Sequence, residues 1–225
     1  MTAPPALAAL RSLPHQRPRE GRDFWVLDNV LPDPDGLRQR LLQRTDWVFG
    51  APTRPETWPG KRAPSALSPE ELAPIEQWVR EKTGKKRLKV GVAPDGASLN
   101  HNCVQVVGGK EGRPLPHTDR RDLCTFAAVI YLTPGLPASC GTSFYRIRLP
   151  DGTPGGNRIP APHKNLVEAL GTRFVPGNIF MEEVRVDYRY NRMLLYPADL
   201  LHSASGYVGE REEDRRMTLL FFWLC

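Results

Sequence analysis

The stretch PLPHTDRRDLCTFAAVIYLTPGLPASCGTSFYRIRL, residues 114–149, decides the architecture. Within it CTFAAVIYL (124–132) and TSFYRIRL (142–149) are rich in β-branched and aromatic residues. The nine residues between them hold two prolines and two glycines, the punctuation of a turn. Working outward, LKVGV (88–92) and NCVQVV (102–107) precede the stretch, and RFVPGNIF (173–180), RMLLYP (192–197) and RMTLLFFWL (216–224) follow it. Seven such segments, interrupted by amphipathic helical spacing only at HKNLVEAL (163–170), predict a β-sandwich or barrel rather than a parallel α/β sheet. The expected fold class is mainly β with flanking helices.

Ahead of the strands, FWVLDNVL (24–31) reads as a strand. A helix follows it, with Asp33 or Asp35 as N-cap and Leu37, Leu41 and Leu42 on its apolar side. Ser68-Pro69-Glu70-Glu71 is a capping-box start, and Leu72, Ile75, Trp78 and Val79 keep helical spacing to Gly84, with Pro74 expected to kink the early turns. Residues 50–67, with Trp58, read as a covering loop, and Lys85, Lys86, Arg87 and Lys89 as a solvated helix end. The Pro/Arg/Ala-rich residues 1–22 read as a disordered tail, followed by one domain over 23–225 with helical N-terminal support (23–87) and a β-core (88–225).

Composition excludes whole classes. A chain of 225 residues with 40% hydrophobic and 25% charged side chains can bury a core, and no apolar run reaches the roughly 18 residues of a membrane helix. The N-terminus lacks a basic region before its short Ala-rich run, so a cytoplasmic address is expected. Cys103, Cys124, Cys140 and Cys225 have no zinc-ligand spacing and read as reduced. The net charge of +6 and 23 prolines match the codon bias of a GC-rich bacterial genome as well as a basic surface, so charge identifies no partner.

Chemistry enters at His117 and Asp119. On an extended segment this i, i+2 pair points to one face, as two ligands of one metal require. The pair alone is a weak signal, because the alternative reading has Asp119 answering Arg120 or Arg121. His202, just after the strand RMLLYP, completes a set of two histidines and a carboxylate, the facial triad that leaves open positions on Fe(II). In the last strand, alternation puts Arg216 with Thr218, Leu220 and Phe222, and turns Arg215 outward toward Glu212, Glu213 or Asp214.

The order PHTD, AAVIYLTP, CGTSFYR, NRMLLYPADLLHSASGYV, RRMTLLFFW resembles the 2-oxoglutarate/Fe(II) dioxygenase superfamily, especially its prolyl-4-hydroxylase-like branch and an uncharacterised bacterial group within it. The resemblance spans about residues 99–225 and extends to the opening strand and helix. It implies a double-stranded β-helix, or jelly-roll, barrel. It further implies Fe(II) held by His117, Asp119 and His202, and the distal carboxylate of 2-oxoglutarate held by Arg216 and Thr218. By the same resemblance Tyr131 adds its hydroxyl to that carboxylate, and Gln105 faces co-substrate or substrate, with His101 and Asn102 beside its strand.

The implied reaction converts 2-oxoglutarate and O2 to succinate and CO2 while hydroxylating an unactivated C–H bond of a small molecule, amino acid or peptide side chain. Desaturation or ring closure is the variant of the same chemistry. Halogenating relatives carry a small residue where this chain has Asp119, which favours hydroxylation. Two features depart from the pattern: Cys140-Gly141 replaces a pair of glycines, and 14 positions separate His202 from Arg216, a few more than expected. The segments 50–67 and 150–171 are the expected substrate covers, and Arg113, Arg120 and Arg121 are candidate contacts for an acidic group. The alternatives are a nucleic-acid or nucleotide dealkylating dioxygenase, for which no basic-aromatic alternation is visible, and a non-catalytic cupin-like metal-binding protein.

Overall fold

A computed structural model describes residues 13–49, 59–92, 100–149, 151–172 and 175–225. Strand β1 (Trp25–Asp28) leads into helix α1 (Pro34–Leu42), where the Asp33 side chain accepts a hydrogen bond from the Gly36 amide and Pro34 occupies the first turn. Two short strands, β2 (Val48–Phe49) and β3 (Lys61–Ala63), precede helix α2 (Pro69–Thr83). That helix starts on a reciprocal Ser68–Glu71 capping box and stops at Gly84, whose φ of 68° suits a residue without a Cβ. The remaining elements are β4 (Cys103–Val107), β5 (Phe126–Tyr131), β6 (Thr142–Ile147), α3 (Leu166–Leu170), β7 (Phe180–Val186), β8 (Arg192–Pro197), β9 (His202–Ala204) and β10 (Arg216–Trp223).

Seven strands form one antiparallel sheet in the order β1-β8-β5-β10-β4-β3-β2, and β7-β6-β9 form a second. β10 is the centre of the large sheet. Its register pairs Thr218 with both Gln105 of β4 and Tyr131 of β5, so these three side chains lie on one face of the sheet. Met217, Leu219, Phe221 and Trp223 alternate to the other face and pack with Leu37, Leu41, Ile75 and Val79 of the two long helices. Burial of each such side chain contributes about 1.5–3 kcal/mol, which fixes which face the helices cover. The inner face is left to meet the second sheet, where Tyr131, Leu194, Tyr196 and Leu220 pack with Phe144 and Val186. A third apolar cluster, with Ile147, Ile159, Leu166, Leu170 and Leu201, seats α3. No helix is long and apolar enough to cross a membrane among the described residues.

Several boundaries differ from the sequence reading. LKVGV contributes only isolated bridge residues, Lys89 pairing with Leu224, in place of a strand. In RFVPGNIF, Pro176 leads into a 3-10 turn over Gly177–Ile179, and β7 begins only at Phe180 and runs on through the charged MEEVRV. Residues 50–58 of the expected covering loop, Trp58 included, lie outside the described residues; its later part supplies β3, which pairs with β4. The division at residue 88 does not separate support from core, because β1, β2 and β3 all join the large sheet.

The tail also ends earlier than expected. Residues 1–12 lie outside the described residues, but Leu13 is buried beside Gly156, where an added Cβ would meet the Leu13 carbonyl oxygen at 2.2 Å. The Pro14 carbonyl accepts from the Asn157 amide at 3.0 Å, and Asn157 exchanges side-chain bonds with the Gln16 backbone. Composition could not reveal this order, since the partners stand some 140 residues away in sequence.

Candidate active site

Two histidines are brought side by side by main-chain pairing. The His117 amide donates to the His202 carbonyl and the His202 amide to the His117 carbonyl, both at 2.9 Å, and the ring centroids stand 4.6 Å apart. Two residues on, the Asp119 amide donates to the Ala198 carbonyl at 2.9 Å. Alternation along this extended segment turns Thr118 the other way, where its hydroxyl accepts from the Leu166 amide at the start of α3. The segment 151–171 therefore buttresses the back of the His-Thr-Asp motif.

Each imidazole has its outer nitrogen fixed. Nδ1 of His117 lies 2.8 Å from the Leu115 carbonyl and Nδ1 of His202 lies 2.8 Å from the Leu200 carbonyl. A carbonyl only accepts, so both Nδ1 atoms carry the proton and both Nε2 atoms present a lone pair. Those lone pairs face Asp119, at 3.9 Å from Oδ1 for His117 and 3.6 Å from Oδ2 for His202. One ligand atom from each of the three residues falls within 4.8 Å of the others.

Asp119 Oδ2 is buried and makes no hydrogen bond among the described residues. Burial pushes the Asp119 carboxyl up to about 6, against the pull of His117 and Arg62, while burial holds the His202 imidazole well below its usual range and so neutral. Two imidazoles that turn Nε2 toward one orphaned buried carboxylate oxygen are the donor set a divalent first-row metal takes. The residues present fit such an ion.

The second half of the site is cationic. Arg216, 4% exposed, enters from the first position of β10, and its Nε donates to the Cys140 carbonyl at 2.8 Å and its Nη2 to the Gly141 carbonyl at 3.3 Å. The guanidinium carbon lies 5.4 Å from the Tyr131 ring and 5.8 Å from the Tyr207 ring. No carboxylate lies within ion-pair distance of it among the described residues. Beside it, the fully buried Thr218 Oγ1 has no hydrogen-bond partner among the described residues. Gly141 is required where it stands, since a Cβ there would meet the Val186 carbonyl oxygen at 2.0 Å.

Arg215 turns outward and pairs with Glu111 at 2.9 Å and Glu212 at 3.6 Å. The Tyr131 hydroxyl lies 2.8 Å from Thr142 Oγ1 on the facing sheet, and its ring stacks on Tyr188. Gln105, on the inner face, donates to the Pro59 carbonyl at 3.0 Å. His101 is not in the cavity: it faces Phe221 and Trp223 on the helix side of the sheet. Asn102 instead bonds the Leu67 main chain. Tyr196 links the two halves of the site, its ring 4.5 Å from His202 and its hydroxyl within electrostatic reach of both Asp119 and Arg216.

Sequence reasoning missed two inward residues. Arg62, 6% exposed, pairs in register with Gln105 and acts electrostatically on Asp119. Its segment is Pro/Gly-rich, so no periodicity marked it as a strand. Tyr207 lies in the long β9–β10 connection and carries no local signal.

Two facing antiparallel sheets, helices on the outside of the larger one, and a His-Asp-His cluster inside define the double-stranded β-helix fold of the 2-oxoglutarate/Fe(II)-dependent oxygenases. Solved structures carry the same fold. A prolyl hydroxylase from Trichoplax adhaerens, in complex with a hypoxia inducible factor peptide fragment, is 14% identical with a TM-score of 0.51 over 90% of this chain and 83% of that one. SnoK, the alpha ketoglutarate dependent carbocyclase from nogalamycin biosynthesis, is 17% identical with a TM-score of 0.55, covering 89% and 79%. AviO1 from Streptomyces viridochromogenes Tue57 is 15% identical with a TM-score of 0.52, covering 97% and 95%. The chain belongs to the DUF6445 family, described as a family of unknown function, whose model matches residues 8–215. No curated protein sequence matches it significantly.

Proposed function

We propose that the protein is an Fe(II)- and 2-oxoglutarate-dependent oxygenase acting on an unactivated C–H bond of a small molecule, amino acid or peptide side chain. The observation that carries this reading is the buried Arg216 guanidinium. It has no carboxylate partner among the described residues, and Tyr196, whose ring lies 4.5 Å from His202, interacts electrostatically with both it and Asp119 of the His117, Asp119 and His202 donor set. A buried guanidinium left without a counter-charge is costly, and a dicarboxylate bound between it and the metal supplies one. When bound, iron and 2-oxoglutarate supply O2 activation: one oxygen atom goes to the substrate and one to succinate, with CO2 released.

The chain's residues do the holding and orienting. His117 and His202 offer Nε2 because the Leu115 and Leu200 carbonyls hold the Nδ1 protons. Asp119 offers a carboxylate at the position where a halide would otherwise sit, so hydroxylation, or desaturation or ring closure in its place, is the expected outcome. Arg216 presents its remaining N–H groups, and Thr218 its unpartnered hydroxyl, to the distal carboxylate. Tyr196, Leu220 and Phe144 exclude water from the space between.

The substrate class draws support from the relatives: one solved neighbour holds a peptide and another comes from a small-molecule pathway. Of the flanking arginines, Arg120 is tied to Asp122 and Arg121 reaches the His163 carbonyl, and Arg62 adds a buried cation that acts on Asp119.

The test is anaerobic reconstitution. Metal-stripped protein should take up one Fe(II) per chain, and added 2-oxoglutarate should give a visible metal-to-ligand charge-transfer band. His117→Ala or Asp119→Ala should abolish the band. Absence of the band in the wild type, with zinc retained through native purification, would overturn the reading.

A further inference from the structure

The turn that ends β8, residues 197–200, sets two of the three metal donors at once. The Ala198 carbonyl takes the Asp119 amide at 2.9 Å, and the Leu200 carbonyl fixes Nδ1 of His202 at 2.8 Å. Asp199 lies between these two carbonyls. A displacement of the turn therefore moves the carboxylate and the imidazole together, so whatever holds the turn also orients the donors.

The turn is held from the insertion between β6 and β7. The Ile159 amide donates to the Asp199 carbonyl at 3.0 Å, the Leu201 amide donates to the Asn157 carbonyl at 2.9 Å, and Arg158 pairs with Leu200 between them. The Arg158 side chain adds a second tie of another kind. Its Nη1 donates to Asp199 Oδ1 at 3.0 Å and its Nη2 to Asp23 Oδ1 at 2.8 Å. Asp23, just ahead of β1, is buried and anchored in its turn, since its Oδ2 accepts from the Arg19 amide at 3.0 Å and from Arg22 Nε at 2.7 Å. Among the described residues Arg158 is the only ion-pair partner of Asp199. One guanidinium thus forks between a fixed carboxylate and the carboxylate of the turn, a span that the point charge of an ammonium does not cover.

We propose that Arg158 is a positioning residue for the metal centre: by pinning Asp199 to the buried Asp23, it holds the turn whose carbonyls orient His202 and Asp119. This rests on the oxygenase reading, in which those two residues bind the metal. It also gives the insertion a use besides covering substrate. The same insertion reaches the other run of donors, where the Arg121 amide donates to the Lys164 carbonyl at 2.9 Å and the Leu166 amide donates to the Thr118 hydroxyl at 3.0 Å.

The test is metal binding rather than turnover. Metal-stripped protein is titrated anaerobically with Fe(II) by calorimetry and with Co(II) by its visible d–d absorption, which reports ligand geometry, after circular dichroism has shown each variant folded. Arg158→Met is expected to weaken both metals about tenfold, the lower end of the range for residues that orient metal ligands, and to change the Co(II) bands. Asp199→Ala should do the same. The double variant should bind no more weakly than either single one, because the two residues act as a unit. Arg158→Lys keeps the charge without the fork and should lose less in the same direction; should Arg158→Met not fold, this variant and Asp199→Ala carry the comparison. Arg192→Met is the control: its side chain is 18% exposed, as that of Arg158 is, and its ion pair with Asp28 lies at the other end of β8, so metal affinity and Co(II) bands should stay those of the wild type. Wild-type affinity and bands in the Arg158 and Asp199 variants, an equal loss in Arg192→Met, or additive losses in the double variant would overturn the proposal and leave the oxygenase reading standing. A wild type that takes up neither metal sinks the oxygenase reading and the proposal with it.

Discussion

Replacing Arg216 with methionine removes a guanidinium that makes two known hydrogen bonds, to the Cys140 and Gly141 carbonyls, and leaves its other N–H groups for a ligand. Methionine keeps the length and apolar stem, so the cavity is preserved. Truncating one side of a buried, hydrogen-bonded charge pair costs about 2–5 kcal/mol, or about thirtyfold to a few thousandfold in affinity. The assay is the anaerobic 2-oxoglutarate titration of Fe(II)-loaded protein, with urea unfolding of the same preparations. The Cys140 carbonyl loses its donor in the variant, at about 1–3 kcal/mol, while the Gly141 carbonyl keeps the Ser205 amide and a buried charge is relieved as well, so the stability change should be the smaller effect. Arg215→Leu is the control on strand phase. Its guanidinium answers Glu111 and Glu212 at the surface, where ion pairs contribute about 0–1 kcal/mol, and 2-oxoglutarate affinity should move less than about fivefold. Equal losses at the two positions, or a larger one at Arg215, would refute the assignment of Arg216 to the carboxylate.

Thr218→Val removes a hydroxyl that is buried without a partner among the described residues, so stability should hold or rise while 2-oxoglutarate affinity falls about tenfold; an unchanged affinity would show that the hydroxyl never meets the ligand. His101 is buried, and burial lowers its folded-state pKa below the ordinary imidazole value of 6.5, with the Phe222 main chain and Glu76 opposing. Its contribution to stability is therefore complete above pH 6.5 and is lost as the pH falls toward the folded value, at up to about 1.4 kcal/mol per pH unit. Urea unfolding between pH 7.5 and 5.5 should give a shallower pH dependence for His101→Gln than for the wild type, and parallel curves would contradict this.

Local sequence carried the central features because each had a short-range mark. The β10 run alternates two faces within eight residues, and the single charge at its start, Arg216, has to go to one of them. The capping box at Ser68 lies within four residues, and helix α2 begins there. What local sequence could not carry depended on distant partners. β3 is three residues long and becomes a strand only because β4 lies beside it, so Arg62 had no visible phase. His101 neighbours the inward strand, yet Asn100 and Asn102, both at positive φ, kink the chain there and send its ring to the helix side. β7 was misplaced because Glu182 and Glu183 break its apolar alternation; both are satisfied by ion pairs, Glu182 with Arg185 and Glu183 with Arg146 and His15.

The way Arg216 is held bears on how the family's sequences can drift. Its orientation comes from two main-chain oxygens at 140 and 141, and a carbonyl is the same whatever side chain precedes it. The two positions are nevertheless under different pressure. At 141 any Cβ would run into the Val186 carbonyl oxygen and the Tyr188 amide, 2.0 and 2.7 Å away, whereas position 140 accommodates a buried cysteine. A motif written as two consecutive glycines thus conflates a steric necessity with a habit. A search that demands both would overlook chains such as this one, and a search for a single glycine followed by a strand, with an arginine opening the last strand, would recover them.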